Sequence, residues 1–343
     1  MKALVLKEYN RLQYEEVADP RIADEDVLLE VKSCGICGSD VHGMDGSTGR
    51  RIPPVIMGHE ASGVIARVGA AVDGWKPGER VTMDSTVWCG ECWYCRRGEV
   101  NLCERRRVLG VSCAEYRCSG AFAQYVAVPA RILYRIPDQV DFSRAAMVEP
   151  LAIAMHAVRL ARPEIQETAV VIGAGMIGLM VLQCLKASGC SSVLVADVDP
   201  AKLGRARECG ADAVLDPAAS GFAEVVLSRT SGRGADMAFE AVGVSAAVQS
   251  AVGSVRKGGR VALVGNVSPR VELPLQTVVT RQISLLGSCA SQGEYPACLS
   301  LMASGLLRLD LILSAEAPLS EGAAWFDRLY HRDPSLMKVI LKP

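Results

Sequence analysis

The chain has 343 residues, a formal net charge of −1 and a hydrophobic fraction of 50%. This length predicts about two domains at roughly 100–200 residues each, and the composition excludes a largely disordered chain. The 37 basic residues are balanced by 38 acidic residues. We therefore expect neither a nucleic-acid partner nor an anionic membrane surface as a partner.

We expect no secretory signal, because the N-terminal apolar run is too short for one. The longest apolar stretch, residues 169–182, falls short of the roughly 20 residues that a membrane-spanning helix needs. We therefore expect a cytoplasmic protein. Thirteen cysteines without a signal indicate reduced thiols or metal ligands rather than disulfides.

Two kinds of pattern follow each other along the chain. Up to about Pro150, short apolar runs are bounded by Gly, Pro and Asp, which predicts a β-rich region. Further on, predicted strands alternate with helical stretches: Ala169–Gly173, Ser192–Asp197, Ala213–Leu215, Met237–Glu240, Arg260–Gly265 and Ile283–Leu286. Such alternation is typical of an α/β fold with a doubly wound parallel sheet.

The first motif is a run of cysteines in which Cys89, Cys92 and Cys95 are spaced by three, with Cys103 eight positions later. Four thiolates fill the tetrahedral shell of a zinc ion and leave no open position, so the motif predicts a structural zinc site. The alternative is a loop of reduced cysteines without a metal.

The second motif is a glycine pattern, Gly173-x-Gly175-x-x-Gly178, that follows an apolar strand and precedes a helical stretch. That context is the one a dinucleotide-binding turn requires, because the helix N-terminus then faces the pyrophosphate. Asp197 ends the next strand and would accept hydrogen bonds from the adenosine ribose. Its charge would repel a 2′-phosphate, which favours NAD over NADP. The alternative is a plain glycine-rich turn with a capping aspartate.

The third motif combines Cys37 with His59 and Glu60, and Glu149 adds a carboxylate where the domains join. Thiolate, imidazole and carboxylate are ligands that zinc accepts together. Taken singly, the cysteine is equally typical of a small core residue, and the histidine of a hydrogen-bonded structural residue.

Together these motifs resemble the zinc-containing medium-chain dehydrogenase/reductase family, that of the alcohol and polyol dehydrogenases. The resemblance covers essentially the whole chain. It implies a Rossmann domain of residues 150–287 inserted in a β-rich, GroES-like catalytic domain built from residues 1–149 and 288–343.

Position by position, the resemblance assigns the catalytic zinc ion to Cys37 and His59. Either Glu60 or Glu149, or each in turn, would complete the metal shell and leave one position for water or substrate. Asp40 matches a carboxylate that orients the zinc-bound histidine. The implied cofactors are one catalytic zinc ion, one structural zinc ion and NAD.

The resemblance also assigns Ser39 and His42 to a proton relay from the substrate hydroxyl towards solvent. For the cofactor, it implies a phosphate turn that comprises Gly173, Gly175, Ile177 and Gly178. The adenosine ribose would contact Asp197 and Lys202, and the pyrophosphate would lie near the basic residue Lys338. The nicotinamide would be lined by Val264, Gly265, Asn266, Ser288 and Cys289.

The implied activity is oxidation of a secondary alcohol of a polyol, sugar alcohol or polyol phosphate to a ketone. Glu149 stands where many alcohol dehydrogenases have cysteine, which is the polyol- and threonine-dehydrogenase pattern. Arg50 and Arg51 are either phosphate contacts or surface charges. Butanediol or threonine dehydrogenase is the alternative within the family, and a non-catalytic nucleotide-binding protein is the alternative outside it. The family also implies a homo-oligomer, a tetramer or a dimer.

Overall fold

The computed structural model describes residues 1–113 and 117–343. These residues form two compact units, which we call the first and the second unit. The first unit comprises Met1–Glu149, Gln292–Gly305 and Leu313–Pro343, and the second comprises Pro150–Ser291 and Leu306–Ile312. Residues 288–291 and Leu306–Ile312 therefore lie in the second unit, outside the predicted range 150–287. Within the described residues, we find no helix with the length and apolar character of a membrane span.

The first unit begins with short strands and a few short helices. The strands are β1 (Lys2–Glu8), β2 (Arg11–Glu16), β3 (Asp26–Gly35), β4 (Val55–Ile56), β5 (Glu60–Val68), β6 (Arg80–Met83), β7 (Thr86–Val87), β8 (Arg107–Val108), β9 (Tyr125–Pro129) and β10 (Leu133–Arg135). The helices are α1 (Gly38–Gly43), α2 (Trp93–Arg96) and α3 (Phe142–Ala146), and α4 (Val148–Ala161) begins in this unit and continues into the second. Single 3-10 turns lie at Val100–Leu102 and Ala130–Ile132.

The second unit alternates strands with helices. Its strands are β11 (Thr168–Ile172), β12 (Ser192–Ala196), β13 (Ala213–Leu215), β14 (Ala235–Glu240), β15 (Val255–Leu263) and β16 (Ser284–Gly287). Its helices are α5 (Met176–Ala187), α6 (Pro200–Glu208), α7 (Phe222–Ser228), α8 (Ser245–Ser254) and α9 (Leu275–Thr280).

The strands of the second unit form one parallel sheet in the order β13-β12-β11-β14-β15-β16. The order reverses at the first strand, so the predicted doubly wound sheet is confirmed. Val170 and Val171 of β11 are both fully buried although they point to opposite faces. Burial on both faces explains why this strand is a continuous apolar run. The predicted strands agree with the observed ones to within two residues, except that β15 begins five residues early.

The chain then returns to the first unit. It adds α10 (Tyr295–Ala303), β17 (Leu313–Pro318), α11 (Gly322–Tyr330) and β18 (Lys338–Lys342), with a 3-10 turn at Leu319–Glu321. A further 3-10 turn, Leu309–Leu311, lies in the second unit. Strand β18 lies between β3 and β17 in a sheet of order β10-β6-β5-β3-β18-β17, and β9 also pairs with β3. A smaller sheet has the order β2-β1-β4. Leu29, Ile65, Phe122 and Phe326 are among the buried residues that join these elements into one core.

Candidate active site

The four cysteines of the first motif lie together between β7 and β8. Their sulfur atoms all lie within 4.8 Å of one another, and the residues are Cys89, Cys92, Cys95 and Cys103. The Cys92 N–H donates to the Cys89 sulfur at 3.4 Å, and the Cys89 N–H donates to the Cys103 sulfur at 3.3 Å. A backbone N–H of Glu91 lowers the pKa of Cys89 to about 6, whereas burial raises the pKa of Cys95 to about 12. The four gathered sulfurs are the donor set of a closed structural zinc site.

A second group of metal-binding side chains forms where β3 and β5 end side by side. The two strands are antiparallel, and Gly35 is paired with Glu60. Cys37 caps α1 two residues after the pair, and His59 precedes it on the other strand. One ligand atom from each of Cys37, His59 and Glu60 lies within 4.8 Å of the other two. The pairing register thus brings Cys37 next to His59 and Glu60, which lie more than twenty positions further along the sequence.

His59 lies against a buried carboxylate. The distance from His59 Nδ1 to Asp40 Oδ2 is 3.4 Å, and Asp40 is fully buried. Burial opposes ionisation of Asp40, but the charges of His59 and Arg51 hold its pKa well below the usual range. Burial likewise opposes a charged His59, but Asp40 and Cys37 raise the pKa of this imidazole well above its usual value. Asp40 therefore faces one ring nitrogen of His59, which leaves the other ring nitrogen for a metal ion.

Arg51 is only 3% exposed, and it pairs with Asp40 at 2.8 Å. Its guanidinium also donates to Ser39 Oγ at 3.4 Å. The expectation that Arg51 is a surface charge or a phosphate contact is therefore wrong, because its charge is buried against a carboxylate. Arg50, the preceding residue, is exposed.

The two glutamates have different surroundings. Glu60 is fully buried and forms an ion pair with Lys338, whose Nζ also donates to Ile36 O at 3.0 Å. The second carboxylate oxygen of Glu60, Oε1, has no hydrogen-bond partner among the described residues. A β-carbon on Gly35 would lie 2.3 Å from Glu60 Oε2, so only glycine leaves room for this carboxylate. The contact of Lys338 with the pyrophosphate stays a prediction, and the structure gives its ammonium another partner.

Glu149 lies in the first turn of α4 and accepts a hydrogen bond from Ser85 Oγ at 2.9 Å. Burial raises its pKa, as does the charge of Glu60, although His59 opposes the shift. Glu149 is therefore close enough to the metal group to interact with it electrostatically. Glu60, however, is the glutamate whose oxygen lies within 4.8 Å of the cysteine and histidine ligand atoms.

The predicted proton relay lies on α1. Ser39 and His42 are both exposed, and Ser39 Oγ donates to Cys37 Sγ at 3.3 Å. The backbone carbonyl of His42 accepts a hydrogen bond from Ser47 Oγ at 2.9 Å.

The glycine turn follows β11 in the second unit. Gly173 has φ +101°, which favours glycine, and Gly175 caps α5. A β-carbon on Gly178 would lie 1.8 Å from Gly173 O, so this position requires glycine for close packing. Asp197, after β12, accepts hydrogen bonds from Ala174 N at 2.7 Å and Asp199 N at 2.9 Å. The carboxylate is thereby fixed beside the turn.

The remaining predicted cofactor residues follow the carboxyl ends of the same sheet or begin its helices. They are Ile177 in the first turn of α5, Lys202 in α6, Val264, Gly265 and Asn266 after β15, and Ser288 and Cys289 after β16. Parallel sheets of this order bind ligands at that edge.

Glu240 is a residue that the sequence analysis missed. It is buried, and its carboxylate accepts hydrogen bonds from Val242 N at 2.8 Å and Gly243 N at 2.7 Å. Its own backbone carbonyl accepts from Val264 N and Gly265 N. The signal in the sequence was an acidic residue ending an otherwise apolar strand.

Comparisons with known proteins agree with this site. The alcohol dehydrogenase GroES-like domain matches residues 23–138, and the zinc-binding dehydrogenase domain matches residues 177–304. Sorbitol dehydrogenase of Bacillus subtilis is 32% identical over 100% of this chain and 97% of its own length. D-arabitol-phosphate dehydrogenase of Enterococcus avium is 34% identical over 94% of this chain and 91% of its own length.

Among solved structures, a zinc-binding dehydrogenase from Sinorhizobium meliloti bound to NADP has a TM-score of 0.90. It is 30% identical, and the match covers 100% of this chain and 99% of that one. The fold and the two metal-ligand groups define a zinc-binding dehydrogenase. The chain belongs to the zinc-containing medium-chain dehydrogenase/reductase family, that of the alcohol and polyol dehydrogenases. The predicted GroES-like and Rossmann folds, the family and the enzyme class are thereby confirmed.

Proposed function

We propose that the chain oxidises a secondary alcohol of a polyol, sugar alcohol or polyol phosphate to a ketone, with hydride transfer to NAD. The observation that carries this proposal is the gathering of Cys37, His59 and Glu60 within 4.8 Å. The relatives named for sorbitol and D-arabitol phosphate support the substrate class. Butanediol or threonine dehydrogenase is the alternative within the family.

When bound, the zinc ion lowers the pKa of the substrate hydroxyl and stabilises the negative charge that develops on its oxygen. Cys37 and His59 would hold the ion, with Glu60 or Glu149 as the further ligand. The buried Glu60 Oε1 that lacks a partner supports this fit. Ser39 Oγ accepts the hydroxyl proton and passes it to the exposed imidazole of His42, which releases it to solvent.

NAD is the cofactor that the carboxylate of Asp197 favours. When bound, the dinucleotide supplies the redox chemistry, and the turn at Gly173 and Gly175 holds its pyrophosphate. Asp197 is half-buried and fixed by two backbone N–H groups, so it cannot turn away from a 2′-phosphate without losing both bonds. NADP is the alternative, and Asp197→Ser should raise the use of NADP relative to NAD.

We also propose a homo-oligomeric protein, a tetramer or a dimer, in the cytoplasm. Five apolar side chains are exposed between the end of β15 and the end of α9, and they support the homo-oligomer: Val267, Val271, Leu273, Leu275 and Val279. Strand β16 next to them is the edge of its sheet. Light scattering after size exclusion tests the state, and a monomer would contradict it.

The test of the reaction is NADH formation by the purified, zinc-replete protein against free polyols, polyol phosphates, inositols, butanediol and threonine. Each substrate is run with NAD and NADP, before and after chelation. Turnover of a polyol with NAD that chelation abolishes is the expected result. Turnover of butanediol or threonine alone would favour the alternative within the family. A protein that binds NADH but lacks the catalytic zinc ion would favour a non-catalytic nucleotide-binding role.

A further inference from the structure

Arg51 lies between two residues that each contact a candidate ligand of the catalytic zinc ion. One is Asp40, which faces His59, and the other is Ser39, which donates to Cys37. We infer that Arg51 is a positioning residue that holds two of the protein ligands, Cys37 and His59, in the geometry that the metal requires. This inference rests on the proposed zinc site but not on the identity of the alcohol.

The contact with Asp40 determines which carboxylate oxygen the histidine meets. Arg51 Nε and Nη2 both donate to Asp40 Oδ1, at 3.1 and 2.8 Å. The other oxygen, Oδ2, is left facing His59 Nδ1 at 3.4 Å. A carboxylate on one ring nitrogen of a ligand histidine fixes the ring and leaves the other nitrogen for the metal. Arg51 therefore sets the orientation of His59 through a planar fork that a lysine cannot reproduce.

The contact with Ser39 extends the same control to the cysteine. Arg51 Nη2 donates to Ser39 Oγ at 3.4 Å, and this hydroxyl donates to Cys37 Sγ at 3.3 Å. Because an N–H of the Arg51 guanidinium occupies a lone pair of Ser39 Oγ, the hydroxyl hydrogen of Ser39 points towards Cys37 Sγ. One side chain thus acts on Cys37 and His59 by separate routes.

The fold holds Arg51 in this place on two sides. A β-carbon on Gly43 would lie 2.5 Å from Arg51 Cγ, so the glycine at the end of α1 makes room for the arginine stem. Ser112 fixes the backbone around Arg51, since its N–H donates to Arg50 O at 3.1 Å and its hydroxyl bonds Ile52 N and O at 2.6 and 2.9 Å. Arg51 is therefore held in a defined, buried position and is not an incidental surface cation.

The test compares Arg51→Lys with Arg50→Lys, which is the same substitution at the exposed neighbouring residue. Each protein is loaded with zinc, and release of the two ions to a chromogenic chelator is followed in the absence of substrate. Removal of an outer contact of a metal site costs about 10–100-fold in metal affinity or activity. We expect Arg51→Lys to release the catalytic zinc at least about tenfold faster, with structural-zinc release unchanged and Arg50→Lys like wild type.

A second variant guards against a folding defect. Gly43→Ala keeps the arginine but displaces its stem, and it should accelerate release of the catalytic zinc in the same way. The visible spectrum of cobalt in the catalytic site should change in both variants, and kcat should fall more than KM rises. Wild-type metal release and an unchanged cobalt spectrum in Arg51→Lys would overturn the inference. Absence of the catalytic zinc ion from the wild-type protein would instead overturn the proposed function.

Discussion

Glu60 and Lys338 form an ion pair with both side chains fully buried, although 278 positions separate them in sequence. Burial opposes the charge of Lys338, but the carboxylate of Glu60 raises the pKa of this ammonium above its ordinary value. The ammonium of Lys338 therefore stays charged in the interior. The pair joins the start of β5 to the start of β18 beside the candidate zinc ligands.

Breaking this pair should destabilise the protein strongly. Lys338→Met leaves the Glu60 charge buried without its cation, which costs about 3–5 kcal/mol of unfolding free energy. The matched control is Lys342→Met in the same strand, because Lys342 pairs with Glu316 at the surface and such pairs contribute about 0–1 kcal/mol. Urea denaturation measures both. Equal losses in the two variants would contradict the role of burial.

Removing a ligand of the catalytic zinc should separate chemistry from cofactor binding. Cys37→Ala and His59→Ala should abolish turnover, because each removes a donor of the metal group. The glycine turn lies in the other unit, so NADH binding measured by fluorescence titration should be retained. Activity that survives in either variant would refute the assigned ligands.

The structural zinc site should respond differently. Cys95→Ser removes one of four thiolates that converge between β7 and β8, and structural zinc sites contribute directly to folding. We expect lower zinc content, lower thermal stability and poorer assembly, with a smaller effect on kcat of the protein that does fold. A stable variant with a full zinc content would show that the four cysteines do not hold a metal.

Substitution of two glycines of the turn should have different effects, one on stability and the other on NADH affinity. In Gly178→Ala the new carbon meets Gly173 O at 1.8 Å, so the variant should lose stability. In Gly175→Ala the new carbon meets nothing within 4 Å, so stability should stay near wild type while NADH affinity falls. The physical reason is that the second glycine of such a turn allows the pyrophosphate to approach the backbone. Melting curves and NADH titrations of both variants give the comparison.

Asp84 should make stability depend on pH. Burial raises its pKa from 3.8 to about 7, and the charges of Glu149 and Glu294 add to the shift. Because the unfolded chain ionises first, stability falls as pH rises through this window. Asp84→Asn should therefore match wild type near pH 4 and be more stable above pH 7 by up to about 4 kcal/mol, at ~1.4 kcal/mol per pKa unit.

Thermal denaturation across this pH range provides the measurement for Asp84. Asp138→Asn is the control, since the side chain of Asp138 is 100% exposed. The control should leave the pH dependence of stability unchanged. An Asp84→Asn variant whose advantage grows as the pH falls would reverse the sign of the argument.

Local patterns were enough to predict the sheet of the second unit and the four-cysteine group, whereas the family resemblance was needed to assign Cys37 and His59 to the catalytic zinc ion. Apolar runs bounded by glycine and aspartate predicted β11 and β12 to within one residue, because strands buried on both faces are almost entirely apolar. The spacing of Cys89, Cys92 and Cys95 predicted their convergence, since a short loop is sufficient to bring them together.

Residues whose partners lie far along the chain could not be predicted in the same way. Nothing near Lys338 indicates that it pairs with Glu60, because the pairing follows from the insertion of β18 beside β3. Arg51 lies in a polar loop, and such a loop predicts exposure. Its burial depends on Gly43 and Ser112, whose proximity only the folded chain creates.

The position of β18 also imposes an order on synthesis. Residues Lys338–Lys342 fill the place between β3 and β17, so the sheet that carries the zinc ligands stays open while the ribosome makes the whole nucleotide-binding unit. That unit has its own core and its own unbroken sheet up to Gly287. A nascent chain can thus complete its dinucleotide-binding half first, and it gains the cation that neutralises Glu60 only when translation reaches Lys338.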